Sequence, residues 1–380
     1  MTDHQPFTIA IADEAISDLK TRLSHARFSQ QIADQPWTLG TDRDTLIDLC
    51  QYWQNTFDWR AIELRLKEWP QFVCELHGEQ LHFAHIRSPH ENATPLVMTH
   101  GWPGSIAEFL EVVGPLTDPV AHGGHEDNAF HVVLPSLPGF GFSGPTQKLG
   151  NSPLKMAQMI KQLMADLGYS GYLAQGGDWG SIITTELGRV DADRVLGIHI
   201  TMPIAGPTPQ AREKPDSLDV IAFDKLEFRK KVDGGYAEIQ GTMPQTIGYA
   251  LDDSPVGLAA WIVEKFRTWS DCDGDLSQSY TWDQLLTNIS IYWFTATAAS
   301  SARIYYEMRQ SPISFDMVEV PVAIARFPGE IFLPPRTWCE QVYNVQRWTE
   351  FGHGGHFAAM EVPHLLVGDV RAWITQLQER

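Results

Sequence analysis

The sequence predicts an α/β fold with a mostly parallel central sheet, and three observations lead to that class. Short apolar runs separated by turn residues begin near residue 71, for example at residues 72–76 and 96–99. Helical patterns lie between later runs, as at residues 154–167, where Pro153 takes the first helical position. Strands that alternate with helices favour a parallel sheet. The length of 380 residues suits one large core with attached segments.

The first 70 residues are predicted to form an N-terminal helical arm. Apolar side chains there recur at the spacing i, i+3, i+4, i+7, which places them on one face of a helix. The clearest set is Leu46, Leu49, Cys50 and Trp53. Such a stripe usually packs on another part of the protein. We therefore expect residues 1–70 to pack on the core.

A helical lid is predicted between two of the strands. After the apolar run 195–201 the alternation of strands and helices stops, and residues 207–312 are rich in aromatic and methionine residues with helical periodicity. The strand pattern resumes at 320–327. We expect this insertion to close a pocket and exclude water, as lids do. The core then consists of residues 71–206 and 313–380.

The charge balance argues against whole classes of partner. The chain has 28 Lys and Arg residues against 47 Asp and Glu residues, which gives a formal net charge of −19. A site for nucleic acid or for an anionic membrane surface needs clustered Lys and Arg. We expect neither partner, and a neutral, apolar small molecule fits better.

We expect neither a targeting segment nor a metal site in this sequence. The first 11 residues include acidic and polar residues and have no apolar core preceded by positive charge, so we expect no signal peptide. No window reaches the roughly 18 apolar residues that span a bilayer, so a soluble cytoplasmic protein without a membrane anchor is expected. Neither zinc nor a disulfide framework is expected, because the cysteines lack C-x-x-C spacing. They are Cys50, Cys74, Cys272 and Cys339.

A glycine-rich turn carries the strongest functional signal. Residues 176–180 have the sequence GGDWG, follow the apolar residues 172–174 and precede a helical run at 181–189. This arrangement is typical of the nucleophile elbow of the α/β-hydrolase fold, in which a strained strand-to-helix turn exposes one side chain. Here the apex is Asp178, a carboxylate that is already ionised and can displace a leaving group at a saturated carbon. Taken alone, the motif also fits a surface turn.

A second loop predicts the partner of that elbow. The apolar residues 95–99 end in HGWPGS at residues 100–105, a turn able to aim backbone N–H groups inward. In this fold, one N–H of the oxyanion hole comes from that loop and one from the residue after the nucleophile. Those residues are Trp102 and Trp179. A plain Gly-Pro connection is the alternative interpretation of the loop.

The orienting acid and the histidine are expected after the last two strands, in that order. The apolar residues 322–327 stop at a Pro-Gly-Glu turn, which makes Glu330 the acid. Two histidines, His353 and His356, follow the predicted last strand at 345–351. We favour His356, because paired glycines before it allow close backbone approach and a helical run begins after it.

Five motifs resemble the microsomal-type epoxide hydrolases, and together they span nearly the whole chain. They are HGWPGS at 100–105, GDWGS at 177–181, DSPVGLAAW at 253–261, FPGE at 327–330 and GGHFAA at 354–359. The N-terminal helical arm is also typical of that group. We expect no hydrophobic anchor of the kind that the animal microsomal members carry, and in this respect the sequence resembles the soluble bacterial and fungal relatives.

The resemblance implies two lid tyrosines that donate hydrogen bonds to the epoxide oxygen. Tyr236 lies in a Gly-Tyr and Ile-Gln-x-Thr pattern, and Tyr305 in an Arg-x-Tyr-x-Glu pattern. Tyr306 is the neighbouring alternative to Tyr305. A lone lid tyrosine is otherwise more often a packing residue.

The expected activity is cofactor-independent hydrolysis of an apolar epoxide to a vicinal diol, a detoxification chemistry. Asp178 would form a covalent ester, and water activated by His356 and Glu330 would hydrolyse it. The alternatives are a haloalkane dehalogenase, which shares the Asp nucleophile and the Trp after it, and a receptor that binds a hydrophobic ligand without catalysis. The sequence leaves the choice between monomer and homodimer open.

Overall fold

The computed structural model describes residues 4–379, and within that range the strands form one nine-stranded sheet. Residues 1–3 of the predicted arm and residue 380 of the predicted core lie outside the described residues. The strands are β1 (Gln5–Phe7), β2 (Gln71–Leu76), β3 (Glu79–Ile86), β4 (Thr94–Thr99), β5 (Phe130–Pro135), β6 (Tyr172–Gly176), β7 (Val195–Ile200), β8 (Val318–Arg326) and β9 (Tyr343–Glu350).

The α-helices surround this sheet in three groups along the chain. Before β2 lie α1 (Asp13–Ser24), α2 (Arg43–Asn55) and α3 (Trp59–Lys67). Between β7 and β8 lie α7 (Pro209–Glu213), α8 (Ser217–Phe228), α9 (Gly235–Thr242), α10 (Pro244–Asp253), α11 (Pro255–Trp269), α12 (Trp282–Thr295) and α13 (Ala298–Gln310). The others are α4 (Val113–Thr117), α5 (Pro153–Asp166), α6 (Asp178–Val190), α14 (Arg336–Cys339), α15 (Ala358–Glu361) and α16 (Pro363–Gln378).

The sheet is mostly parallel, as predicted. Its strand order is β1-β2-β3-β5-β4-β6-β7-β8-β9. Every neighbouring pair from β5 to β9 in that order is parallel, whereas β1, β2 and β3 pair antiparallel. The helices between the parallel strands provide the crossovers that such pairing requires. The predicted α/β class is therefore confirmed.

The prediction of helix throughout the N-terminal segment is wrong at residues 5–7. These residues form β1, which pairs antiparallel with β2 through Gln5 and Val73. The stretch has only three residues, and its partner is more than 60 positions away, so local spacing could not reveal the pairing. The predicted apolar face of α2 is buried as expected, with Trp53 among the largest fully buried side chains.

One apolar core joins the N-terminal helices, the sheet and the helices between β7 and β8. Side chains from all three regions belong to a single buried cluster, such as Trp53, Val97 and Leu285. The indole N–H of Trp53 also donates to Ser290 Oγ in α12 at 2.9 Å. The N-terminal helices therefore pack directly on the inserted helices. The boundaries at residues 70, 206 and 312 stay a prediction.

Along residues 4–379, none of the helices combines the length and the apolar composition that crossing a bilayer requires.

Candidate active site

The two predicted catalytic loops meet at one edge of the sheet. Strands β4 and β6 are parallel neighbours, and Thr99 at the end of β4 pairs with Gly176 at the end of β6. From β4 the chain crosses to β5 on one side, while β6 lies on the other side. Such a topological switch point opens a crevice at the carboxyl ends of the strands, where ligands bind in open α/β sheets.

The turn after β6 has the geometry of a nucleophile elbow. Asp178 has a φ of +50°, which is strained for a residue with a side chain, and it begins α6. A methyl group on Gly176 would lie 2.2 Å from the carbonyl oxygen of Gly180, and one on Gly180 would lie 2.0 Å from the Thr99 oxygen. Only glycine fits at these two positions, so the sharp turn depends on both.

The loop after β4 contacts the side chain of Asp178 through a backbone N–H group. The N–H of Trp102 donates to Asp178 Oδ1 at 2.7 Å. The Trp102–Pro103 peptide bond is cis. Trp179 is the second residue of α6, and N–H groups in the first turn of a helix have no partner within that helix. The hydrogen bond from Trp102 therefore connects the loop after β4 to the elbow, and the role of Trp179 as the second donor stays a prediction.

His356 lies between two carboxylates, those of Asp178 and Glu330. Its Nδ1 lies 2.6 Å from Glu330 Oε1, and its Nε2 lies 3.4 Å from Asp178 Oδ2. The backbone N–H of His356 donates to the Trp269 carbonyl at 2.9 Å, which anchors the loop. His353, the competing histidine, is exposed and packs against the ring of His364. The fold therefore brings His356, and not His353, to the carboxylates.

The protonation of His356 depends on the carboxylates of Glu330 and Asp178. Burial by itself lowers the pKa of His356, but the charge of Glu330 and the contacts with Asp178 outweigh it and hold that pKa well above its usual value. The side chain of Glu330 is fully buried, and its Oε1 also accepts the N–H of Ile331 at 2.6 Å. A fixed carboxylate of this kind orients an imidazole and stabilises its charged form.

A cavity of about 190 Å³ lies against Asp178. Tyr236 and Tyr305 both line it. Tyr306 is not among the lining residues in the part of the chain that the structure describes, so Tyr305 is the tyrosine that faces the site. Most of the remaining wall is apolar and consists of Ile182, Met202, Ile204, Met308, Ile313, Ile331 and Phe332.

The two tyrosines are held by aromatic packing on the oxyanion loop and the elbow. The Tyr236 ring stacks on Trp102, with centroids 5.0 Å apart, and the Tyr305 ring meets Trp179 edge-on at 4.8 Å. Burial raises the pKa of Tyr236 to about 12, with Arg229 opposing the rise. Burial also raises the pKa of Tyr305 well above its usual value. Both hydroxyls therefore stay protonated at neutral pH and can donate hydrogen bonds.

The sequence interpretation missed Glu108. A methyl group on Gly104 would lie 1.5 Å from its Oε1, so the carboxyl group fills the space beside the oxyanion loop. Burial raises the pKa of Glu108 to about 8, and the charges of His356 and Asp178 both act on it. The Ser105-x-x-Glu108 spacing resembles a capping box. That spacing indicates only a helix start, and the electrostatic interaction with His356 comes from the tertiary fold.

Two family models match the chain. One is described as "Epoxide hydrolase N terminus" and matches residues 4–109. The other is described as "alpha/beta hydrolase fold" and matches residues 94–235. The second match confirms the predicted fold family.

Curated relatives match over nearly the full length. A Stigmatella aurantiaca protein provisionally named as an epoxide hydrolase is 44% identical over 99% of this chain and 86% of its own length. Epoxide hydrolase 1 of Sus scrofa is 35% identical over 99% of this chain and 89% of its own. Among solved structures, the Aspergillus niger epoxide hydrolase superposes with a TM-score of 0.88 at 31% identity, covering 99% of this chain and 97% of that one.

Proposed function

This chain belongs to the epoxide hydrolase family, and we propose that it opens an apolar epoxide through a covalent ester on Asp178. Membership confirms the resemblance predicted from the motifs, and epoxide hydrolysis is the activity that the relatives support. The observation that carries the mechanism is the position of Asp178 at the apex of the strained elbow, 3.4 Å from His356. We propose an apolar epoxide as the substrate, because most of the cavity wall is apolar.

In the first step, an oxygen of Asp178 attacks a ring carbon and the carbon–oxygen bond of the epoxide breaks. The electron pair moves to the ring oxygen, where hydrogen bonds from Tyr236 and Tyr305 stabilise it. Two features support this step. The two hydroxyls are protonated at neutral pH, and both side chains line the cavity beside Asp178.

In the second step, His356 removes a proton from water, which attacks the ester carbonyl of Asp178. The N–H groups of Trp102 and Trp179 stabilise the tetrahedral oxyanion. Ester formation removes the negative charge of Asp178, and that charge is one of the causes that raise the pKa of His356. The pKa of His356 therefore falls once the ester has formed, which releases the neutral imidazole as a base when it is needed.

Isotope labelling tests the covalent route. After prolonged turnover of styrene oxide in ¹⁸O-labelled water, we expect label to accumulate in the peptide that contains Asp178, because water attacks the ester carbonyl. Peptide mass analysis measures it, and the same incubation without epoxide is the control. Label in the diol with none in the protein would contradict a covalent ester and point to direct attack of water on the ring.

Replacing both lid tyrosines separates this activity from that of a haloalkane dehalogenase. Tyr236→Phe and Tyr305→Phe should each lower kcat for styrene oxide by roughly 10²- to 10³-fold, since each removes a donor to the developing charge. The double variant should have no measurable turnover. Tyr306→Phe is the matched control and should keep its activity. Halide release from a haloalkane at an unchanged rate in the double variant would instead favour the dehalogenase.

A cytoplasmic location, cofactor independence and the choice between monomer and homodimer stay predictions from the sequence. A non-catalytic receptor is disfavoured, because the predicted nucleophile, acid and histidine are all in contact.

A further inference from the structure

The hydroxyl of Tyr236 has a cationic partner. Nη1 of Arg229 donates a hydrogen bond to this hydroxyl at 3.2 Å. A second cation, the ammonium of Lys265, lies 4.6 Å from the centroid of the Tyr236 ring. A positive charge at either place stabilises a negative charge on the phenol oxygen.

The two cations differ in how far carboxylates neutralise them. Lys265 forms ion pairs with Asp233 at 2.7 Å and Glu264 at 2.6 Å. Among residues 4–379, by contrast, no carboxylate lies within ion-pair distance of Arg229. Its guanidinium packs 4.8 Å from the centroid of the Phe332 ring and lines the cavity. The charge of Arg229 acts on both Tyr236 and Tyr305, but of these two hydroxyls it is that of Tyr236 to which Arg229 donates a hydrogen bond.

Arg229 also occupies an irregular position in the chain. It begins a π-helical turn, Arg229–Asp233, between α8 and α9. Such turns are rare and are found frequently at functional sites. The wider turn joins α8 to the start of α9, whose second residue is Tyr236.

Tyr305 lacks such a partner. Its ring contacts are with Trp102, Trp179 and Tyr236, and the described residues include no cation that donates a hydrogen bond to its hydroxyl. Burial raises the pKa of both tyrosines, but Arg229 opposes that rise at Tyr236. The two lid tyrosines are therefore chemically unequal.

We propose that Arg229 is a positioning residue that makes Tyr236 the proton donor in ring opening, while Tyr305 contributes a hydrogen bond only. The inference rests on the proposed function. As the carbon–oxygen bond breaks, the ring oxygen takes the proton of Tyr236 and becomes the first hydroxyl of the diol. The phenolate that remains is held by Arg229. It regains a proton from the water that is consumed in ester hydrolysis, and the other proton of that water passes through His356 to the second hydroxyl.

A double-mutant cycle tests the proposal in the full-length enzyme. The variant Arg229→Met is combined with Tyr236→Phe and, separately, with Tyr305→Phe. The rate of ester formation is measured in single turnovers of styrene oxide by tryptophan fluorescence, because Trp102 and Trp179 border the site, and by rapid quench with intact-protein mass. Lys230→Met is the matched control, since it removes a charge from an exposed position in the same turn.

We expect Arg229→Met to slow ester formation by roughly 10- to 100-fold, the range that a charged hydrogen bond supports. The same substitution should have little further effect in the Tyr236→Phe background and its full effect in the Tyr305→Phe background. Lys230→Met should change the rate less than twofold. A merely structural role for Arg229 would slow both backgrounds equally, and that result would overturn the proposal.

Two further outcomes are decisive. Arg229 would be a substrate-binding residue, contrary to the proposal, if its substitution slowed only an epoxide that carries a carboxylate, such as phenylglycidate, and left styrene oxide unaffected. If the unsubstituted enzyme forms no ester at all, the proposed function fails and this inference fails with it. If the unsubstituted enzyme forms the ester normally, but Arg229→Met slows ester formation equally in the two tyrosine backgrounds, the proposed role of Arg229 is overturned and the proposed function stands.

Discussion

Asp178→Ala is expected to lower kcat for styrene oxide by roughly 10⁴-fold or more, the scale of loss seen when a covalent nucleophile is removed. Two carboxylates near the site, Glu330 and Glu108, are unsuited to take its place. Glu330 is buried behind His356, and burial raises the pKa of Glu108, which favours its neutral form. The variant should also show no mass increase after incubation with the epoxide, because no ester can form.

The matched control for this loss is Asp193→Ala, which removes a carboxylate from an exposed position shortly after α6. Its turnover should stay within twofold of the unsubstituted enzyme. Thermal unfolding of both variants shows whether they are folded at the assay temperature. A folded Asp178→Ala protein that kept more than about a tenth of the activity would mean that water attacks the ring directly and would remove the ester from the mechanism.

His356→Gln is expected to separate the two half-reactions. Hydrolysis of the ester should slow by roughly 10²- to 10⁴-fold, the usual contribution of a general base, while ring opening slows much less because Asp178 is still present. The ester should therefore accumulate. Intact-protein mass spectrometry should show one added epoxide per chain, and diol production should stop after about one equivalent.

His353→Gln is the control, since His353 is exposed and lies three residues away on the same loop. It should turn over normally without accumulating an adduct. Full turnover in His356→Gln would exclude this histidine as the base. Loss of activity in a folded His356→Gln protein with no added mass would place its role before ester formation.

The sheet was predictable because strands and helices leave local patterns. The predicted strands at 195–201 and 345–351 correspond to β7 and β9 within about two residues at either end. Their apolar runs and turn residues are contiguous in the chain. Strand β1 was missed because three residues have no period of their own, and its pairing with β2 is a long-range interaction.

The candidate site residues also divide into those that local patterns predict and those that depend on long-range contacts. Asp178, Glu330 and His356 could be named because each follows a strand, and parallel strands end at one edge of a sheet. The preference for His356 over His353 came from local glycines, and the structure places only His356 beside both acids. Adjacent residues of a helix face different directions, and the sequence does not show which direction faces the site. The choice between Tyr305 and Tyr306 therefore rested on the resemblance alone.

The sequence by itself determined the α/β class, the carboxylate at the elbow and the family, since the residues that indicate each of these are close together in the chain. Only the tertiary structure decided which charges act on the site. The charge of His356 acts on Glu108 because the oxyanion loop packs near it, and Arg229 donates to Tyr236 because of the turn before α9. The physical reason is that burial and electrostatic interaction depend on distance in space, which sequence patterns do not record for residues on different elements.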